Sequence, residues 1–157
     1  MPKRSKAETK HTIEQILIEA QKQILEMGYD VMSYSSLSEA TGISRTGISH
    51  HFPHKSDFLT QLEPKFASLL MEHLDFSCRD ALRTSWLRAL ESPTFSGIVK
   101  LFFSICGSSQ LDSAQYKTLG SLNDKASAEL GEHGPSMIDT LLGRSAVLLF
   151  SQKQSAV

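Results

Sequence analysis

Between Ser33 and Pro53 the chain reads SYSSLSEATGISRTGISHHFP, and its punctuation leaves little choice of structure. Gly42 stops one segment, because a residue without Cβ takes the left-handed conformation that closes many helices. Pro53 stops the next, because it has no backbone N–H and clashes with the preceding turn. Ser33 and Ser36 are both suited to cap the first segment, Ser36 forming a capping box with Glu39, and Ser44 caps the second, Arg45 to His51. Neither segment is long enough to be a stable helix in water, so packing must hold them. The reading is two short helices joined at Gly42, with Leu37, Ala40, Ile43 and Ile48 holding the pair at a steep angle: a helix-turn-helix.

The flanks extend this pattern. Ile13, Ile16, Leu17, Ala20, Ile24 and Met27 recur at spacings of three and four, which predicts a first amphipathic helix ended by Gly28. A longer helix is expected from Lys55, with Phe58, Leu62, Phe66 and Leu69 on one face and Pro64 kinking or interrupting it. Leu82, Trp86, Leu87 and Leu90 form a further stripe, and Ile98, Leu101, Phe102, Ile105 and Cys106 another. A more polar helix is expected from Asp112 to Glu132 and a last one from Pro135 to Gln152, with proline at its first turn. That last helix is apolar over so much of its surface that it either lies in the core or meets a second subunit. No strand pattern or internal repeat breaks the series. The fold class is therefore all-α, with an N-terminal three-helix domain at 1–58 and a short helical C-terminal domain at 59–157.

A hydrophobic content of 40% over 157 residues is enough to bury a sizeable core. The longest apolar run, Ala146 to Phe150, falls far short of the roughly 20 residues of a membrane span. The start, MPKRSKAETKHTIEQ, meets polar residues where a secretory signal would turn apolar. A cytoplasmic protein with no membrane partner is expected. In that reducing compartment Cys78 and Cys106, which lack any C-x-x-C spacing, read as free, buried thiols. The net charge of -1 says little about binding to nucleic acid, which follows local fields. Lys3, Arg4, Lys6 and Lys10 against Glu8 leave an excess of three positive charges in the first ten residues, although such an arm by itself reads as a solvated terminus.

His50, His51 and His54 crowd beside Arg45, Thr46 and Lys55. A metal site would need side chains converging to about 2 Å from one point. Pro53 separates His50 from His54, and His51 projects about 100° from His50 along a helix, with only Asp57 near enough to complete a shell. No G-x-S-x-G elbow, Cys/His pair or paired carboxylates can be traced, so no catalytic residue, metal or cofactor is assigned. A metal-dependent enzyme built on the three histidines remains a remote alternative. A surface that reads nucleic acid fits better, since Arg45, Thr46 and Gly47 open the second helix of the motif, the part that enters the major groove.

The stretch LSEATGISRTGISHHFPHK resembles the TetR family of bacterial transcriptional regulators, with Gly42, Ile43, Ser44, Ile48, His51, Phe52 and Lys55 matching its motif. The resemblance covers residues 10 to 62 and says little about residues 65 to 157. It implies that Arg45, Thr46 and Gly47 face base edges, that Ser44, His51 and Lys55 face phosphates, and that Phe52 plugs the motif into the core. Lys55 would add its charge to a helix N-terminus that already favours anions. On this reading His50 faces the groove, and because histidine titrates within the physiological range, DNA affinity should depend on pH. Ser49 is counted with these DNA-facing residues, although the sequence departs from the family there, where a tyrosine usually touches the DNA backbone and serine leaves that contact shorter or missing, and at His54, where Ser or Asn usually caps the next helix.

The resemblance further implies a homodimer on double-stranded DNA, since one short motif buries too little surface for tight binding and two read a palindrome. The segments 112–131 and 135–152 are the interface candidates. A repressor released by a small apolar effector would hold it among Met71, Trp86, Phe95, Phe102, Phe103 and Cys106, although ordinary core packing accounts for the same positions. The same fold without an effector, constitutive or governed by a protein partner, is the alternative.

Overall fold

The computed structural model describes residues 5–109 and 116–155. Among them the secondary structure is helical throughout: α1 (Lys6–Met27), α2 (Tyr34–Thr41), α3 (Arg45–His51), α4 (Ser56–Met71), α5 (Arg79–Ala89), α6 (Pro93–Gly107), α7 (Thr118–Leu130), a 3-10 turn (Gly131–His133) and α8 (Gly134–Ser155). The all-α expectation is met. Lys3 and Arg4 of the basic arm, and the expected helix start at Asp112, lie outside the described residues. The chain divides into two compact units after Leu62.

In the first unit α1 begins well before the apolar periodicity does. Ser5 and Glu8 form a capping box: the Ser5 N–H donates to Glu8 Oε2 (2.7 Å) and the Glu8 N–H to Ser5 Oγ (3.2 Å), which satisfies two of the free donors at a helix start. The buried face runs through Ile16, Ala20, Gln23 and Ile24. Gly28, at φ 100°, ends the helix, and its N–H donates back to the carbonyls of Gln23 and Ile24. Between the two possible caps of α2 the fold selects Ser33, with Ser36 and not Glu39 as the reciprocal partner. Ser36 also donates its hydroxyl to Gln23 Oε1 (2.6 Å), while Gln23 Nε2 donates to the Ser36 carbonyl (3.3 Å). That exchange is why a glutamine can sit buried in this core. It also fixes α2 against α1.

The interruption expected at Pro64 does not occur, because α4 runs through it. Proline removes the N–H that would bond the Thr60 carbonyl. Thr60, Gln61 and Pro64 are exposed, so water can serve that carbonyl, and buried Leu59, Leu62, Phe66 and Leu70 hold the helix on its other side. The start of α4 lacks the serine or asparagine cap usual in the resembled family. Only the reciprocal half of a capping box is made there, Asp57 Oδ2 accepting the His54 N–H at 2.7 Å.

The second unit is built around Trp86, which is fully buried. Its ring meets Phe95 edge to face at 5.3 Å, a favoured aromatic geometry. Its Nε1 donates to Ser145 Oγ (2.8 Å), and Ser145 donates to the Leu141 carbonyl (2.7 Å). No polar atom of this trio is stranded, and α5 is tied to α8. The α7–α8 hairpin turns at Gly131–His133, and the backbone of Gly134 passes so close to α7 that an added Cβ would overlap the Ala126 carbonyl.

The cysteines correct the sequence reading, since both are exposed. Cys78 sits at the surface because it is the N-cap of α5, its Sγ accepting the Ala81 N–H at 3.4 Å, and Cys106 occupies the solvent side of the last turn of α6. Leu87, expected on the core stripe of α5, also faces outward.

The overlap at Gly134 gives a direct test. Gly134→Ala should lower the unfolding free energy by about 1–3 kcal/mol, the usual range for overpacking, as read by urea denaturation followed by circular dichroism.

Candidate nucleic-acid interface

The tip of the first unit follows from what the two short helices bury and what they leave out. Leu37 of α2 and Ile48 of α3 are completely buried, and Phe52 stacks on Phe58 at 4.5 Å. Gly42, in the left-handed conformation at φ 73°, makes the corner between the helices, its N–H donating to the Ser38 carbonyl. Ser44 then caps α3 by accepting the Gly47 N–H at 3.1 Å. With Ile48 pinned inward, helical periodicity turns its neighbours out. Ser44, Arg45, Thr46, Ser49 and His50 are exposed, while Gly47, His51 and Lys55 are half-buried. The fold thus places on one short segment seven of the eight residues expected to meet DNA, and Lys55 just ahead of α4.

Individual positions add detail. Gly47 leaves no spare room: a Cβ there would lie 3.2 Å from both Ile43 Cγ2 and Ser44 Oγ. Ser49 turns its hydroxyl back to the Thr46 carbonyl at 3.2 Å. The space beside it is an open concave surface lined by Arg45, Thr46, Ser49 and Tyr34. Tyr34 was not singled out in the sequence. Its hydroxyl donates to the Phe52 carbonyl at 2.7 Å and its ring lies 5.9 Å from that of Phe58, so it clips the start of α2 to the end of α3. An aromatic residue directly after the Ser33 cap was its only signal. Burial raises the Tyr34 phenol above its ordinary range, with the Asp57 carboxylate adding to the effect.

The histidines do not converge. The rings of His50 and His51 meet edge to face at 5.2 Å, Asp57 is engaged by the His54 N–H, and among the described residues no group of three His, Cys, Asp or Glu side chains is placed to hold a metal ion. Lys55 is held differently from the rest. Its Nζ donates to the Asp30 carbonyl (3.2 Å) and lies 4.6 Å from the centroid of the Tyr29 ring. Burial lowers the Lys55 ammonium from its ordinary range, and the Asp30 carboxylate opposes that shift. The Tyr29 phenol is pushed up to about 12, chiefly by burial and then by Tyr34, Asp30 and Asp57.

The six residues considered for an effector are scattered in their roles. Trp86 and Phe95 are fully buried, Met71, Phe102 and Phe103 are half-buried, and Cys106 is exposed. Trp86 and Phe102 help line a cavity with Leu70, Leu122 and Tyr116, and the other four are not among its walls. The cavity has a volume of about 10 Å³, the space of a single water, and its lining is almost wholly apolar.

No curated protein matches the chain. Residues 63–149 match the family model described as the tetracycline repressor LuxT C-terminal domain, a match that spans more than half of the 157 residues. The helix-turn-helix lies ahead of that domain in the first unit, as the sequence motif had implied. The chain therefore belongs to the TetR-like family of transcriptional regulators.

Proposed function

We propose that the protein binds double-stranded DNA sequence-specifically as a homodimer and represses transcription from a palindromic operator. The observation that carries this reading is α3. It is a capped helix with Ile48 locked into the core and Arg45, Thr46, Ser49 and His50 turned to solvent, ahead of a repressor-type C-terminal domain. A cation and hydroxyls at the start of a recognition helix are suited to reach base edges, and Ser44, His51 and Lys55 are suited to phosphates.

The homodimer is supported by α8. Gly143, Ala146, Val147 and Phe150 are exposed at spacings of three and four, and Val147 and Phe150 are 56% and 64% accessible. An apolar stripe left bare on the helix that also supplies Ile138, Leu141 and Leu149 to the core accounts for the excess apolar surface noted in the sequence. Two joined protomers, each with one helix-turn-helix, read two half-sites.

For control, the cavity supports the alternative. The cavity lined by Trp86 and Phe102 has space for about one water, so a small apolar effector entering there would have to displace packed side chains, whereas constitutive action or control by a protein partner needs no cavity. The cytoplasm, where the DNA is, is the compartment this function requires.

DNA fragments selected from a random pool should carry two-fold symmetric sites, and affinity for them should fall steeply between low and moderate salt as counterions are displaced. Binding insensitive to salt would rule the reading out. Arg45→Ala should weaken the selected site by about 1–3 kcal/mol while leaving random sequence little changed. Phe150→Asp should shift the protein from dimer to monomer in analytical ultracentrifugation, with its circular dichroism unchanged.

A further inference from the structure

Lysine normally reaches a phosphate from a flexible four-carbon stem and gives up rotamer freedom on contact. Lys55 has already given much of it up. Its ammonium is held between the Asp30 carbonyl at 3.2 Å and the face of Tyr29 at 4.6 Å from the ring centroid. Tyr29 cannot move aside easily, because it is only 7% exposed and follows directly on the Gly28 stop of α1. Both partners therefore come from the turn between α1 and α2, while Lys55 comes from the loop ahead of α4.

An ammonium has three N–H donors. The carbonyl takes one, and the ring satisfies another direction through the negative face of its π system. A donor is left for a third acceptor. Held against the face of the Tyr29 ring, the ammonium has also given up part of its hydration shell on folding, so a phosphate arriving there has less water to displace.

We propose that Tyr29 is a positioning residue for DNA binding, clamping the Lys55 ammonium with the Asp30 carbonyl so that its remaining N–H is presented to a backbone phosphate. This rests on the DNA-binding reading above. Tyr29 itself touches no DNA in this arrangement. It acts through Lys55, and the aromatic ring rather than the hydroxyl is the part that matters.

The test uses the full-length protein and a fluorescent 30-base-pair duplex of random sequence, since a phosphate contact is blind to sequence. Lys55→Ala should weaken binding about fivefold per protomer at about 0.15 M salt and reduce the salt slope by about one per protomer, the signature of one lost phosphate contact. Tyr29→Leu should approach the same loss and the same slope, Tyr29→Phe should restore both, and the Tyr29→Leu/Lys55→Ala double variant should be no weaker than Lys55→Ala alone. Tyr29→Leu binding with the parent's affinity and slope, Tyr29→Phe failing like Tyr29→Leu, or losses that add in the double variant would each overturn the proposal, as would Lys55→Ala binding like the parent. A second measurement avoids substitution at Tyr29. In lysine-labelled protein the Lys55 ε-methylene protons should be shifted upfield by the ring and stay so when the duplex is added, and loss of that shift on binding also overturns the proposal. Failure of the parent protein to bind the duplex at all would strike the DNA-binding reading instead.

Discussion

Two helices of eight and seven residues cannot sustain themselves in water, so the tip of this protein exists only because Leu37, Ile48 and Phe52 are buried. That burial decides everything exposed. Once Ile48 points inward, the hundred-degree step of the helix carries Thr46 and His50 to the opposite side and Ser49 to the flank, while Arg45 is exposed at the open first turn. The chemistry of the surface is thus set by apolar residues that never reach it. Polar bonds then refine what apolar packing selects: Gln23 and Ser36 lock α2 to α1, and Tyr34 fastens the end of α3 to the start of α2. Slippage of either short helix would break a buried hydrogen bond as well as open the core.

The second unit uses the same device with other residues. Trp86 fills the centre, and its one polar atom finds Ser145, whose hydroxyl passes the bond on to the Leu141 carbonyl. Trp86 also lines, with Phe102, Leu70 and Leu122, a cavity of about the size of one water.

How much of this was legible in the sequence varied with the kind of signal. The helix-turn-helix was read to its residue bounds at α3 because glycine, serine and proline act locally, and the family resemblance concentrated there. Apolar spacing marks α1 only from Ile13 onward, whereas its start is carried by Ser5 and Glu8, which stand three apart as a capping box. Pro64 misled because its effect depends on which face of the helix meets solvent, a tertiary matter. Tyr34 went unnoticed because its partner Phe52 lies 18 residues away and leaves no local trace, whereas Cys78 is exposed for a local reason, as the cap of α5. Lys55 was found as a cation, but its seat on Tyr29 and Asp30 joins segments some 25 residues apart.

Gly47 carries a consequence for how such a protein could change its preferred site over time. Any side chain added there would press on the Ser44 hydroxyl, the atom that caps its own helix, and on the Ile43 methyl beneath it. A substitution at that position requires both of those side-chain ends to give by a few tenths of an ångström. Arg45, Thr46, Ser49 and His50 are exposed, so on the proposed reading a change of preferred site costs least there, where the helix that displays them stays packed and capped.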